Sequence, residues 1–351
     1  MNNSAKRNLS HISFAGKTPT RRQPSSARGA CGAVCAAAPP AAEERLDEFI
    51  AWVLGRAGLD ATAYRTQSLH RRLPACLRTL NVPEPRAAGE LVERKPHLVA
   101  TVISSLLIGA TEFFREPGVF DCLGTQVLPA LANCNRRLRI WSAACSSGAE
   151  LYSMAILLRE AGLLETSYLL GTDCRGDAID RAKLGFYDAT MLKLVPAATR
   201  DKYFEPVGPH WRPVEALRRQ VHWKAADLLA GVEDGPWDII FWRNAAIYLK
   251  PCRAETIWRQ LASVLAPGGV LIAGKAERPP ADAGLTHAAR CVYRVLTPAG
   301  TTFTRPVGRI ANPSYNNPAP NDDLSRRENG AVPLRPLPRS IGRELALEHR
   351  V

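Results

Sequence analysis

The chain has 351 residues, 46% of them apolar, and a formal net charge of +13. That length accommodates two domains with tails and a sizeable core. No run of eighteen apolar residues exists, which excludes an ordinary transmembrane helix, and nine scattered cysteines without a C-x-x-C pair argue against a disulfide framework or a zinc site and for reduced thiols in the cytoplasm.

The charge is uneven. Residues 1–42 carry six Lys or Arg and no acid, and residues 305–351 carry eight Arg against five acids. Both stretches are rich in Ser, Ala, Pro or Asn without apolar period, so 1–44 reads as a disordered basic extension and 305–351 as a disordered tail. Such tails either bind anionic surfaces without specificity or are simply solvated. An Arg-rich, Ser-rich, acid-poor start also has the composition of an organelle transit peptide.

Residues 45–110 read as a small helical domain. Leu46, Phe49, Ile50, Val53 and Leu54 form one stripe, and Glu43 and Glu44 sit where acids suit a helix N-terminus. A second helical stretch carries Tyr64, Leu69, Leu73 and Leu77 and is expected to break at Pro74. Pro83 and Pro85 end the pattern, and an apolar helix resumes over 98–107. Arg65, His70, Arg71 and Arg72 make a basic face, open to an acidic partner or to solvent. Thr111-Glu112-Phe113-Phe114-Arg115 then puts a hydroxyl and a guanidinium on one side of an expected helical turn. The two Phe anchor that turn in a core, and Arg115 either pairs structurally or clamps a carboxylate.

The stretch 138–158 is the centre of the pattern. A strand, Leu138-Arg139-Ile140-Trp141, runs into small residues, Ser142-Ala143-Ala144-Cys145-Ser146-Ser147-Gly148. A helix follows with Leu151, Met154, Ala155 and Leu158 on one face. This is the first half of a βαβ unit, and its turn either admits a ligand against the backbone and a helix N-terminus or is a buried helix start. A second buried strand, Tyr168-Leu169-Leu170-Gly171-Thr172-Asp173, ends in an acid placed to hydrogen-bond ribose hydroxyls. Residues 178–184 form a helix. Residues 204–223, strand-like at Val221-His222-Trp223, read as a small β insertion. Trp237-Asp238-Ile239-Ile240-Phe241-Trp242 is a buried strand ending in Arg243-Asn244. A helix spans 253–265, Pro267-Gly268-Gly269 is a turn, 270–274 is a strand and 291–296 a last strand. Strands alternating with helices give an α/β fold with a doubly wound parallel sheet.

In order, the Phe113-Phe114-Arg115 motif, Trp141-Ser142-Ala143-Ala144-Cys145-Ser146-Ser147-Gly148, Tyr152-Ser153, Thr172-Asp173, Tyr203-Phe204, Arg243-Asn244 with Ile247-Tyr248, Pro267-Gly268-Gly269 and Gly274 with Glu277 resemble the CheR-type chemotaxis receptor methyltransferases. The resemblance covers about residues 45–300. It implies a Rossmann-like class I methyltransferase domain over 111–304, behind a helical domain, with a receptor-docking β insertion in shortened form. It implies S-adenosyl-L-methionine as cofactor and glutamate side chains of a methyl-accepting receptor as substrate, with a cytoplasmic, monomeric enzyme that binds no metal and no specific nucleic acid. By the same resemblance, Thr111 and Arg115 meet the methionine end of the cofactor, Gly148 lets it pass over the strand end, and Asp173 holds the ribose. Asp227 and Leu228 flank the adenine, and Asn244 and Ala245 line the floor under the sulfonium. Arg243 is expected to steer the substrate carboxylate, with Tyr248 as a neighbouring hydroxyl. Where the family has G-E-E-P-Y-S, this chain has Gly148-Ala149-Glu150-Leu151-Tyr152-Ser153, so Ala149 replaces a Glu expected to hold the cofactor amino group. Glu150 is expected to project elsewhere from the helix, and Trp242 replaces the family's Cys. Two alternatives follow: a non-catalytic module that binds cofactor or receptor, or a small-molecule methyltransferase on the same fold. A three-stranded insertion favours a protein substrate, and a simple loop favours a small one.

Overall fold

The computed structural model of the chain describes residues 42–107, 111–132 and 137–295, so the expectations for both tails lie outside it. It begins with five helices: α1 (Ala42–Arg56), α2 (Thr66–His70), α3 (Leu73–Leu80), α4 (Pro85–Arg94) and α5 (Leu98–Leu106). The expected break at Pro74 is there. The proline stands in the first turn of α3, where its missing N–H has no intrahelical partner to lose, and Asn81 in the left-handed conformation closes that helix. Phe49, Ile50, Val53 and Leu54 are buried.

Two short helices, α6 (Pro117–Cys122) and α7 (Leu128–Ala132), lead into the sheet. Then come β1 (Arg139–Ala143), α8 (Ala149–Glu160), β2 (Tyr168–Asp173), α9 (Gly176–Leu184) and α10 (Ala197–Tyr203). A hairpin of β3 (Phe204–Val207) and β4 (His210–Pro213) follows, then a single turn, α11 (Glu215–Arg218). The chain ends in β5 (Val221–Ala225), β6 (Trp237–Trp242), α12 (Pro251–Ser263), β7 (Leu265–Ala273), β8 (Leu285–Ala289) and β9 (Val292–Val295).

Seven strands make one sheet in the order β5-β2-β1-β6-β7-β9-β8. The first five are parallel, and β9 and β8 close the edge antiparallel. The α/β doubly wound fold is therefore present, with two antiparallel strands added. All of β6 is buried, as parallel strands covered on both faces are. Ile240 and Trp242 face one hydrophobic cluster, shared with Val53, Leu54, Val102 and Leu106 of the helical segment. Ile239 and Phe241 face the other, shared with α8.

Two expectations need correction. Val221-His222-Trp223 does not belong to the insertion: it pairs in parallel with β2 as the edge strand of the main sheet. The insertion is only the two-stranded β3–β4 hairpin. Pro267-Gly268-Gly269 is not a turn before a strand. It is an irregularity inside β7, where Leu265 pairs with Trp237 and Val270 already pairs with Ile239. The order of the parallel strands reverses between β1 and β6. In such sheets the crevice outside the strands' carboxyl ends at that reversal is where ligands bind.

Candidate active site

A cavity of about 260 Å³ lies at this crevice. Ala144, Cys145 and Ser146 follow β1, Asp173 ends β2, Asp227 and Leu228 follow β5, and Arg243, Asn244 and Ala245 follow β6. Thr111 and Arg115 line it from the segment before α6, and Tyr248 from beyond β6. Of the ten residues named from the sequence, nine therefore share one wall system. Gly148 is not among the lining residues. A Cβ there would stand 2.4 Å from the indole of Trp223, and φ is +88°, so glycine is needed for the packing of β5 against the start of α8.

The backbone around the cavity is strained. Phe114, Glu116, Ala144, Ser146 and Asn244 all have positive φ, which costs a non-glycine residue about 1–2 kcal/mol each. Residues 111–116 are thus an irregular turn rather than the expected helical one. The turn is held by Phe113 N–H donating to the Met191 carbonyl at 3.0 Å and Phe114 N–H donating to Ser153 Oγ at 2.9 Å. Both Phe rings are fully buried.

Arg243 is the third clamp on that turn. Its side chain is 2% exposed, and it donates to the Arg115 carbonyl at 2.7 Å and to Glu150 Oε2 at 2.9 Å, with Glu116 at 3.5 Å. Its ring neighbour is Phe120, 5.7 Å below the guanidinium. The expected role of steering a substrate carboxylate finds the fork already engaged by two carboxylates and a carbonyl. Position 149 also differs from expectation. Ala149, the first residue of α8, is buried in the core, whereas Glu150 lines the cavity, with Oε1 accepting from Ser142 Oγ at 2.8 Å. Glu150, the motif's second acid and expected to project elsewhere, is therefore the acid on the cavity side.

Asp173 is buried and hydrogen-bonded on both oxygens. Oδ1 accepts from the Arg175 N–H and Nε, each at 3.0 Å, and Oδ2 from the Ser146 N–H at 2.9 Å and an Arg175 terminal nitrogen at 3.3 Å. Arg175 also donates to the Leu107 carbonyl at 2.9 Å, which ties the end of the helical segment to the strand end. Glu277 holds the floor: its Oε2 accepts from the Asn244 N–H at 2.7 Å and the Gly274 N–H at 3.0 Å. Burial raises its carboxyl above the usual range, against the pull of those backbone donors.

Burial likewise raises the Asp227 carboxyl; the Leu229 N–H at 3.0 Å pulls it down, and Asp60 and Asp173 push it up. A carboxyl raised on folding lends stability below its unfolded pKa and loses it as pH rises through the folded value. Asp227→Asn is therefore expected to melt higher than the native chain at neutral pH and to lose that advantage at acid pH. Paired thermal melts at the two conditions check this; an equal shift at both rejects it.

Sequence reasoning missed Tyr64, Glu150 and Arg175 as cavity residues and left Arg72 on an undirected basic face. All four line the cavity. Arg72 had a signal in that face. Tyr64 had none, since only the packing of the helices on the sheet brings it there.

The wall fits the expected cofactor. Asp173 and Asp227 present acceptors suited to a nucleoside, Leu228, Leu229 and Ile257 present apolar surface, and Glu150 and Arg115 present opposite charges suited to an ammonium and a carboxylate. Tyr64 also lines the cavity, and its hydroxyl has no hydrogen-bond partner among the described residues.

Comparison with known proteins agrees. Residues 109–291 match the family described as CheR methyltransferase, SAM binding domain. A chemotaxis protein methyltransferase of Listeria innocua is 31% identical over 234 residues, 65% of this chain and 88% of that protein. Chemotaxis protein methyltransferase 1 of Pseudomonas aeruginosa is 34% identical over 207 residues, 55% of this chain and 76% of that protein. The probable biofilm formation methyltransferase WspC of Pseudomonas aeruginosa is 30% identical over 241 residues, 66% of this chain and 56% of that protein.

Proposed function

Because the chain belongs to the CheR methyltransferase family and carries its S-adenosylmethionine-binding domain, we propose that it methylates glutamate side chains in the cytoplasmic domain of a chemotaxis-type receptor, acting in the cytoplasm as a single chain. The observation that carries the substrate reading is Arg72. It lines the cavity from the helical segment, is half-buried, and its guanidinium makes no hydrogen bond or ion pair among the described residues. Arg115 and Arg175 line the same cavity, but Arg175 is spent on Asp173, as Arg243 is on Glu150.

Bound S-adenosylmethionine supplies a methyl group already made electrophilic by its sulfonium. A glutamate carboxylate, with a reference pKa near 4.3, is already ionised at neutral pH, so the chain has no proton to remove. Its residues instead orient and desolvate. Arg72 attracts the carboxylate to the cavity mouth. Asn244, fixed by Glu277, and Ala245 form the floor beneath it. The strained turn at 111–116, clamped by Arg243, excludes water from one side. The two-stranded insertion falls between the three-stranded subdomain and the simple loop weighed above, so the choice of a protein substrate rests on Arg72 and the relatives.

The test is transfer of radiolabelled methyl from S-adenosylmethionine to a receptor cytoplasmic fragment, with alkaline release of methanol as the mark of an ester. A stable, non-ester product would sink the glutamate reading. Arg72→Ala is expected to raise KM for the fragment about tenfold, the loss of one charge-assisted contact, while the affinity for S-adenosylhomocysteine stays unchanged. An equal loss in both would place Arg72 on the cofactor instead.

A further inference from the structure

Tyr64 belongs to the short segment between α1 and α2, outside the stretch that matches the family domain. Its backbone is fixed against the far side of the site. It bridges Leu249 in antiparallel fashion, flanked by Arg65 N–H donating to the Tyr248 carbonyl and Lys250 N–H donating to the Ala63 carbonyl, both at 2.8 Å. The side chain is thereby aimed into the cavity, where its electrostatic neighbours are Cys174, Asp227, Asp173 and Arg175. Burial first, and then Cys174 and the two acids, raise its pKa, so the hydroxyl stays protonated and remains a donor.

The Tyr64 hydroxyl faces the cavity, where a ligand can be its hydrogen-bond partner. Among the described residues it has none, although acceptors on Asp173 and Asp227 line the same wall. A ligand group held between Tyr64 and these acids accepts from the hydroxyl and donates to carboxylates that only accept. An adenine ring nitrogen accepts but cannot donate, and an exocyclic amine donates but accepts poorly. A hydroxyl does both.

We infer that Tyr64 is a cofactor-contacting residue supplied by the helical segment, whose hydroxyl donates to the ribose diol of S-adenosylmethionine while that diol donates to the acids at the ends of β2 and β5. The inference rests on the cofactor reading above. It makes the helical segment part of the nucleoside site and not only of the substrate entrance.

The experiment is calorimetric titration of the native chain and Tyr64→Phe with S-adenosylhomocysteine and with its 2′,3′-dideoxy analogue. Tyr64→Phe keeps the ring and removes only the hydroxyl. It is expected to weaken S-adenosylhomocysteine about five- to tenfold, the worth of one neutral hydrogen bond, and to leave the analogue's affinity as it is in the native chain. Its melting temperature is expected not to fall, since no contact within the chain is lost. Unchanged affinity for S-adenosylhomocysteine overturns the inference. An equal loss for both ligands also overturns it, because the hydroxyl then does not reach the diol. If the native chain binds neither ligand, the cofactor reading itself fails, and this inference with it.

Discussion

Arg243→Ala is expected to lower the unfolding free energy by about 3–5 kcal/mol, the cost of breaking a buried ion pair from one side. The substitution leaves Glu150 facing Ser142 alone and releases the Arg115 carbonyl, so the strained 111–116 turn loses a clamp. Urea denaturation measures the first effect. Titration with S-adenosylhomocysteine measures the second, because Arg115 and Glu150 both line the cavity. The double variant Arg243→Met with Glu150→Gln removes the closer pair and leaves only the partly exposed Glu116 without its cation, and it is expected to recover part of the stability without recovering methyl transfer. A residue that only steered substrate would behave otherwise: Arg243→Ala would be stable, would bind cofactor normally and would show only a raised KM for the receptor fragment. That outcome would restore the role expected from sequence.

Asp173→Ala is expected to weaken S-adenosylhomocysteine by about two orders of magnitude, as the loss of two charge-assisted hydrogen bonds implies. It also strands a buried guanidinium, because Arg175 makes its charged pairing with Asp173 alone and its remaining contacts to the Leu107 carbonyl and Ser146 Oγ are neutral. Stability therefore falls together with binding. The paired variant Asp173→Ala with Arg175→Ala separates the two effects. It is expected to regain stability, since no lone charge remains, and to stay defective in binding. If Arg175→Ala alone bound the ligand as weakly as Asp173→Ala does, the salt bridge rather than the acid would be the binding element.

The parts of this site that were legible in the sequence are local. The strand, small-residue turn and helix of 138–158 and the acid ending β2 follow from periodicity and chain direction, which neighbouring residues determine. The parts that were not legible depend on contacts between distant segments. Val221-His222-Trp223 has too little flanking pattern to reveal that it pairs with β2 rather than with the hairpin beside it. The motif at 148–153 could not tell which of two consecutive helix positions faces the ligand. The structure turns Ala149 into the core and Glu150 to the cavity, because Gly148 sets the start of α8 against Trp223. Arg243 read as a free cation because its partners, Glu116 and Glu150, come from elements 127 and 93 residues away.

The sharing of one hydrophobic cluster between the helical segment and a face of the sheet bears on how such proteins can be recombined. Val53, Leu54, Val102 and Leu106 share one buried cluster with Ile240 and Trp242, so a version trimmed to the family domain would bare part of that cluster to water and tend to aggregate. A chimera that borrows a relative's front segment must import matching apolar surface along with it. Swapping that segment between family members is then a matter of matching buried surfaces, and productive grafts would be those whose joints fall outside the shared cluster.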